Sequence, residues 1–515
     1  MNFINKSIII KIIMLIFIII SIFFISIGCT FNKEYNNVFI VYLDGANNLY
    51  SFALNDFNEI KSLSSKYINQ LDENSVILVL FDRMYNDVPT YEDWEDTRLY
   101  EIKYKDGISE VNEIDCPQLG LTTLYIDEDC DMGSAKTLAG LCSFALNNYS
   151  AKRYFLDIWD HGGGWKTSKE ICSDEESESV INMIEIRNEL LKIPSLHFDL
   201  IIFDACNMGT IEVAANFIDL TDFIIFSQGP VPADGMPYNV IIPVILSSDD
   251  LIQIAQIICN EYVDYYSNSQ ENVTISAIFV DYENRLANFC NDFSNAVLSI
   301  PVNEIRNKRE SSYEFSETTV DISVFTNNNQ NLDEKIKNLV FYHYPNNYFG
   351  LSIYFPKYPL YDKYFLDYTE EKVYFCSRYS NYLNFLINFS MTDIVNIDNY
   401  EPNGKKENAY PISCPVNIGS YIWCENDLDY YKLLSIPING FKIRLIPATG
   451  HDFDLKVYYY INDSLYVLQS TNSYDMEEQI EIDSNIASNI GQLYIVVFGS
   501  QSDFSQQISY SLIVE

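Results

Sequence analysis

Asp199-Leu200-Ile201-Ile202-Phe203-Asp204-Ala205-Cys206-Asn207-Met208-Gly209 decides how this chain reads. Its apolar core, Leu200–Phe203, has the length and continuity of a strand buried on both faces, and it stops at an acid and a thiol. Upstream, Tyr154–Trp159 (YFLDIW) is a second such run, and it stops at Asp160-His161-Gly162-Gly163-Gly164-Trp165. Val38–Leu43 (VFIVYL), Val76–Phe81 (VILVLF) and Phe223–Phe226 (FIIF) repeat the pattern. Helical patterns lie between several of these runs, as in Ala135–Asn147, where Leu138, Leu141, Cys142 and Ala145 share one face. Buried strands alternating with helices predict an α/β domain around a mostly parallel sheet flanked by helices. In such sheets functional groups gather beyond the carboxyl ends of the strands. If the two strands are neighbours, His161 and Cys206 share one crevice.

The rest of the chain frames that domain. From Leu251 to about Phe389 the pattern turns more helical, with one further strand-like block at Leu351–Phe355. A change comes near Asp393–Pro402, and we place a boundary at about residue 393. Beyond it, Tyr430–Leu434, Phe441–Ile446, Leu455–Tyr460, Leu465–Leu468 and Leu493–Phe498 alternate with turn residues such as Asn439-Gly440 and Asn462-Asp463. Short punctuated strands predict a small all-β sandwich over residues 393–515. At the other end, Lys6 and Lys11 precede an apolar stretch from Ile12 to Gly28. That is the pattern of a secretory signal, expected over residues 1–28. Ser26-Ile27-Gly28-Cys29 resembles a relaxed bacterial lipoprotein cleavage box, which makes Cys29 the lipidation site and residues 29–36 a short linker. The expected location is outward-facing on a bacterial membrane, held to the bilayer by a lipid anchor. An uncleaved anchor helix is the alternative.

Composition narrows the partners. The 515 residues carry 72 acids against 32 Lys and Arg, a net charge of −40, while 48% are hydrophobic. That hydrophobic share supports packed cores, and the charge repels phosphate backbones, so nucleic acid is excluded as a partner. Cationic partners are favoured over short range. The 11 cysteines show no metal-type spacing; Cys142, Cys259 and Cys290 sit in apolar helical patterns and are expected to be buried thiols.

Cys206 differs from those. A thiol is mostly protonated near neutral pH and needs help to act as a nucleophile, and an imidazole can carry the proton. Glycines after His161 let backbone approach a substrate closely. The N–H groups of Gly162 and Cys206 are the candidates for holding a tetrahedral oxyanion. Each piece alone has a plainer reading: a structural His, a turn, a core Cys.

Together, however, the His-Gly and Asp-Ala-Cys blocks resemble the clostripain family of cysteine peptidases, relatives of caspases. Val41–Leu49, Asp82-Arg83, Thr97-Arg98, Asp131-Met132-Gly133, Ser227-Gln228-Gly229, Asp234–Tyr238 and Gly350–Pro356 follow in the same order, so the resemblance runs from about residue 37 to 390 and implies a peptidase domain over residues 37–392. It implies a caspase-like fold and a cysteine endopeptidase working through a thioester. Cys206 is then the nucleophile and His161 the acid/base that protonates the leaving amine. It further implies peptide or protein substrates with basic residues, cut after Arg or Lys, selected by Asp204 and Asp234; acids pair with a guanidinium by charge and hydrogen bonds. Gln228-Gly229-Pro230 stands where an acid is common, a departure that weakens the selectivity argument. Self-cleavage between the His and Cys blocks is implied too, with Lys166 and Lys169 as first candidates. The chemistry requires no cofactor; calcium is implied by the resemblance, although no EF-hand loop is present. The tail resembles the bacterial pre-peptidase C-terminal domain. A non-catalytic surface lipoprotein binding host or envelope material through its sandwich is the rival reading.

Overall fold

The computed structural model describes residues 34–84, 94, 96–123, 129–166, 171–316, 318–326, 329–359, 362, 364–391, 400, 403–423, 427–462, 464–472, 474–500, 503–505 and 508–515. Cys29 and the expected signal, residues 1–28, lie outside this set, as do Lys169 and residues 392–399 around the expected boundary. Among the described residues no helix is long and apolar enough to cross a membrane. The described residues fall into two compact units, the first within 1–163, 169–208 and 217–282, the second within 164–168, 209–216 and 283–515.

The first unit is built on β1 (Tyr35–Gly45), β2 (Ser75–Arg83), β3 (Thr97–Lys105), β4 (Ile108–Glu113), β5 (Ala151–Trp159), β6 (Ile171–Asp174), β7 (Ser179–Ile181), β8 (Phe198–Asp204), β9 (Thr221–Phe226) and β10 (Ile275–Phe279). Its large sheet runs β10-β9-β8-β5-β1-β2-β3-β4, while β6 and β7 pair separately. The five strands from β9 to β2 are mutually parallel; β10, β3 and β4 join antiparallel. All five apolar runs picked out in the sequence are therefore the parallel centre of the sheet. Val76 to Phe81 and Leu200 to Phe203 are almost wholly inaccessible, as continuous apolar strands require. The antiparallel margin β3–β4 escapes that pattern because its outward positions are polar or charged.

Helices Tyr50–Lys61, Ala135–Asn148 and Leu251–Tyr266 pack against this unit with apolar stripes. Ser134 and Asp250 begin the last two by accepting backbone N–H bonds at the N-cap. Cys142, Cys259 and Cys290 are buried free thiols, as expected.

The second unit contains β11 (Glu314–Ser316), β12 (Thr319–Asp321), β13 (Val340–Tyr344) and β14 (Ser352–Tyr354), where β14 realises the strand-like block near Leu351. Beyond them come β15 (Tyr410–Ile412), β16 (Val416–Ser420), β17 (Leu428–Leu433), β18 (Phe441–Ile446), β19 (Phe453–Ile461), β20 (Ser464–Ser470), β21 (Glu478–Ile482), β22 (Gln492–Gly499) and β23 (Tyr510–Val514). They form sheets in the orders β15-β17-β22-β19-β20 and β16-β23-β18-β21, the expected all-β sandwich. Ile443, Leu445, Leu455, Val457, Ile495, Val497 and Leu512 fill its core. Asp454 departs from the alternation: it is 5% exposed instead of facing water.

Phe203, fully buried on β8, packs its ring 5.4 Å from that of Phe217. Phe203→Ala should lower unfolding free energy by about 3–5 kcal/mol, because the strand cannot collapse into the space left; denaturant titration measures it.

Candidate active site

Strand register builds the site. On the parallel pair β5–β8, Trp159 lies opposite Asp204, and on β1–β5 Leu43 lies opposite Trp159. The residues just past these pairs, Asp160-His161 and Ala205-Cys206, therefore emerge side by side at one sheet edge. The Asp160 N–H donates to the Asp204 carbonyl at 3.3 Å, tying the two strand ends together. Asn207 then takes a left-handed φ of 59°, which Asn tolerates better than most residues, and its N–H donates to the Gly229 carbonyl at 2.9 Å. That turn leaves Cys206 half-buried at the rim.

Both expected catalytic residues line one cavity of about 150 Å³, with Leu49, Trp159, Asp204, Val231, Ala233 and Gly235 among its walls. The Cys206 thiol donates to the Val231 carbonyl at 3.6 Å and accepts from the Val231 N–H at 3.2 Å. Burial pushes the thiol pKa up, and the nearby Asp204 and Asp160 push the same way against the Val231 N–H. These influences favour the thiol over the thiolate. Gly162 passes so close to Cys206 that a Cβ there would stand 3.0 Å from the Cys206 nitrogen and inside contact distance of its carbonyl oxygen. Only glycine allows the two backbone segments this approach.

His161 is held from its far side. Its Nε2 lies 2.6 Å from the Asn48 Oδ1. The neighbouring Asn47 is buried and donates to Asp160 Oδ1 at 2.7 Å and to the Ser173 carbonyl at 3.0 Å, while its own Oδ1 accepts from the Leu49 N–H at 2.8 Å. An amide oxygen only accepts, so Nε2 carries its proton toward Asn48.

Behind the cavity lies a set of buried acids. Asp204 Oδ2 accepts from the Met236 N–H at 2.8 Å and the Tyr238 hydroxyl at 3.0 Å, and Oδ1 is buried without a hydrogen-bond partner. Tyr238 also reaches Asp157 Oδ2 at 2.5 Å. One hydroxyl proton cannot serve both oxygens, so the pair carries a further proton. Asp56 accepts from the Trp159 indole N–H at 2.7 Å. A Cβ on Gly235, whose φ is +55°, would stand 2.6 Å from Asp204 Oδ2 and 3.1 Å from Asp56 Oδ2, so both acids converge beneath it. Burial, then Asp204, pushes the Asp56 carboxyl up to about 10, and burial holds Asp157 well above its ordinary value. Burial raises Asp204 only to about 6, because the Met236 N–H and Tyr238 stabilise its anion. Of the three, Asp204 is the acid raised least and so the most readily ionised.

A model of the clostripain family matches residues 41–389. The chain belongs to the clostripain family. Clostripain of Hathewaya histolytica is 30% identical over 200 residues, which are 36% of this chain and 36% of that protein. The match thus spans about a third of that relative's length. An inactive zymogen C11 protease from Parabacteroides distasonis aligns with 67% of this chain and 98% of its own at 19% identity, TM-score 0.52. A secreted C11 cysteine protease from Bacteroides thetaiotaomicron, solved with an irreversible peptide inhibitor, aligns over the same shares at 19% identity, TM-score 0.53. These two likenesses bear on the fold.

Within this clostripain-family chain the expected acids part ways. Asp204 lines the cavity, whereas Asp234 is exposed on the loop between two lining residues, Ala233 and Gly235. Lys166 is 8% exposed instead of lying on an accessible stretch. Its ammonium sits 4.8 Å from the centre of the Tyr364 ring and 3.4 Å from the Ser316 hydroxyl. Asn48, Asp56, Asp157 and Tyr238 were not among the expected site residues. Asp157 alone carried a signal, an acid inside an otherwise apolar strand. Calcium, which the family resemblance implies, meets all-oxygen donors at Asp82, Asp129 and Glu176, none of which lines the cavity beside Cys206.

Asn48→Ala should lower kcat/KM on peptide reporters by roughly tenfold or more, with Tm unchanged, because the imidazole loses its orienting acceptor. Asn48→Asp should shift the His161-dependent limb of the pH–rate profile to higher pH, since a carboxylate favours the imidazolium.

Proposed function

We propose that this chain is an exported, lipid-anchored cysteine endopeptidase that cleaves peptide bonds after Arg or Lys. The observation that carries the reading is the cavity lined by both Cys206 and His161, with the carboxyl of Asp204 in its wall. A basic side chain entering there pairs with Asp204, whose buried Oδ1 awaits a donor. Burial raises the neighbouring Asp56 and Asp157 further than Asp204, which leaves Asp204 the readiest partner for a cation. Export and the anchor rest on the residues before Cys29, and the role of the sandwich in substrate or surface attachment rests on its resemblance to pre-peptidase C-terminal domains.

The chemistry follows from the groups present. Cys206 Sγ attacks the scissile carbonyl carbon as its proton passes to the imidazole, forming the S–C bond and a tetrahedral oxyanion. The N–H groups of Gly162 and Cys206 hold that oxyanion. His161 gives its proton to the departing amine, the C–N bond breaks, and a thioester remains. Water, deprotonated by His161, attacks the thioester; the acid leaves and Cys206 regains its proton. Of the two processing candidates, Lys169 is preferred, since Lys166 is buried.

Cys206→Ala should reduce hydrolysis of Arg- or Lys-terminated reporters by about a thousandfold or more without unfolding the protein. An arginyl chloromethyl ketone should label Cys206 in the parent. Neither labelling nor turnover in a folded, processed sample would refute the assignment.

For specificity, kcat/KM on Arg reporters should rise as pH rises through about 6, where Asp204 loses its proton, and level off above. Asp204→Asn should remove that limb and at least about tenfold of the Arg rate. Asp234→Asn, on the exposed loop, should cost less.

A further inference from the structure

One outer face of the C-terminal sandwich lacks the polar composition that water usually selects. In the sheet β15-β17-β22-β19-β20, Tyr431, Val457 and Ile495 belong to the buried core. Side chains alternate along a strand, so their neighbours Tyr430 and Lys432, Lys456 and Tyr458, and Tyr494 and Val496 stand on the outer face. Register sets them in rows across the strands. Lys432 lies opposite Tyr494, Tyr494 opposite Tyr458, and Tyr458 opposite Val467 on β20. In the next row Tyr430 lies opposite Val496, and Val496 opposite Lys456. Tyr460 pairs with Leu465 at the end of the β19–β20 hairpin, where Leu465 and Val467 are 52% and 49% exposed.

The outer face of the other sheet, β16-β23-β18-β21, follows the usual pattern. There Lys442 lies opposite Glu481, and Arg444 pairs with Glu477, so both signs of charge mix. On the aromatic face they do not. Among its described strand positions only Asp454 is an acid, and it is 5% exposed. Glu407 is an exposed acid on the flanking turn, next to Lys406. The chain has six Lys and Arg beyond residue 400, and three of them lie over rings of this face. Lys406 is 4.6 Å from the centre of Tyr460, Lys432 5.7 Å from Tyr494, and Lys456 5.2 Å from Phe498. Lys406 also donates to the Tyr460 hydroxyl at 2.6 Å. In a chain of net charge −40, half of the sandwich's cations are thus gathered on one aromatic surface. Contacts of this kind lay the lysine stems along the sheet and keep the ammonium groups at its surface.

We propose that this face binds an anionic polysaccharide, a sugar polymer carrying carboxylate or phosphate groups. Charge complementarity sets the sign of the partner. Screening over about 8 Å at physiological salt lets these local lysines act in spite of the acidic remainder of the chain. The rings set its class. A sugar ring has an apolar C–H face that stacks on an aromatic ring, and hydroxyl edges that meet tyrosine hydroxyls and ammonium groups. The row Lys432-Tyr494-Tyr458-Val467 crosses four strands in line, so an extended polymer meets one contact after another. A protein partner is anchored by side chains that fill pockets, whereas here lysines are laid over the rings. A bilayer takes up apolar groups that sink below its headgroups, and lysines folded onto the rings stand in the way. The site owes nothing to the cysteine chemistry.

The test measures binding of the full chain to immobilised polygalacturonate near pH 7 in about 50 mM NaCl, with neutral dextran as the control. The parent should bind the first and not the second. Lys432→Gln and Lys456→Gln should each weaken binding at least about threefold, and Tyr458→Leu about tenfold. Tyr458→Phe keeps the ring and should stay close to the parent. Lys442→Gln, on the other sheet, should change nothing. Circular dichroism checks that each variant is folded. Turnover of a peptide reporter should match the parent's in all five, so failure of this site and failure of the peptidase reading are separate results. The assignment falls if the parent does not bind polygalacturonate, if it binds dextran as well, or if Lys442→Gln loses as much as Lys432→Gln. It falls equally if polyglutamate or oligothymidylate binds as tightly, since only the sign of the charge would then be recognised. A bilayer is the partner instead if the variants lose as much on phosphatidylglycerol vesicles as on polygalacturonate.

Discussion

Everything at the candidate site depends on one register. Trp159 opposite Asp204 on parallel strands means that the next residues on each strand, Asp160-His161 and Ala205-Cys206, leave the sheet at the same height. A slip of one residue would turn every side chain of one strand to the other face, burying Asp204 in the wrong layer and separating thiol from imidazole. The register is secured by what fills it. Phe155, Leu156, Ile158, Leu200, Ile201, Ile202 and Phe203 are all essentially inaccessible, so any slip would expose apolar area or bury the flanking acids. Catalytic geometry here is a by-product of core packing carried to the last residue of each strand.

The same logic sorts what was legible in the sequence from what was not. Strands buried on both faces announce themselves as unbroken apolar runs, and all five central strands did. His161 and Cys206 were legible because they interrupt those runs at their ends. β3 and β4 were hidden, since a marginal strand with one polar face has no such run. Asp56 was hidden for another reason. It occupies an inward position of an amphipathic helix among Ala53, Phe57 and Ile60, where a residue type reads as an error in the pattern until a partner, here the Trp159 indole, is known. Asn48 lay inside a quoted stretch, yet nothing local links it to a histidine 113 positions later. Lys166 fails in the opposite sense: a lysine reads as surface, but Tyr364 and Ser316 cover it.

The net charge of −40 takes on structure once the sheet is seen. Neighbouring strand ends each carry an acid at the carboxyl edge: Asp82 on β2, Asp44 on β1, Asp160 after β5, Asp204 on β8. Asp44 lies directly opposite Asp82 in the β1–β2 register. A row of carboxylates on adjacent strands is unfavourable if all are ionised, and burial makes it worse. Each must be discharged by some local means.

Those means differ along the row, and the differences separate the functions. Burial holds Asp44 well above its ordinary value, with Asp160 and Asp82 adding to the shift, and burial pushes Asp160 up to about 7. These two, held against the Ala46 and Ser173 N–H groups, serve to position the loops around His161. Asp204 alone receives a backbone N–H and a hydroxyl while its other oxygen is buried without a partner, and burial raises it only to about 6. Asp82 gains two exposed carboxylates and no added donor at Oδ2, which raises its need for a counter-charge instead of relieving it. A carboxylate surrounded by donors is finished by the fold itself. One surrounded by further carboxylates, as Asp82 is, stays short of donors at its buried oxygen.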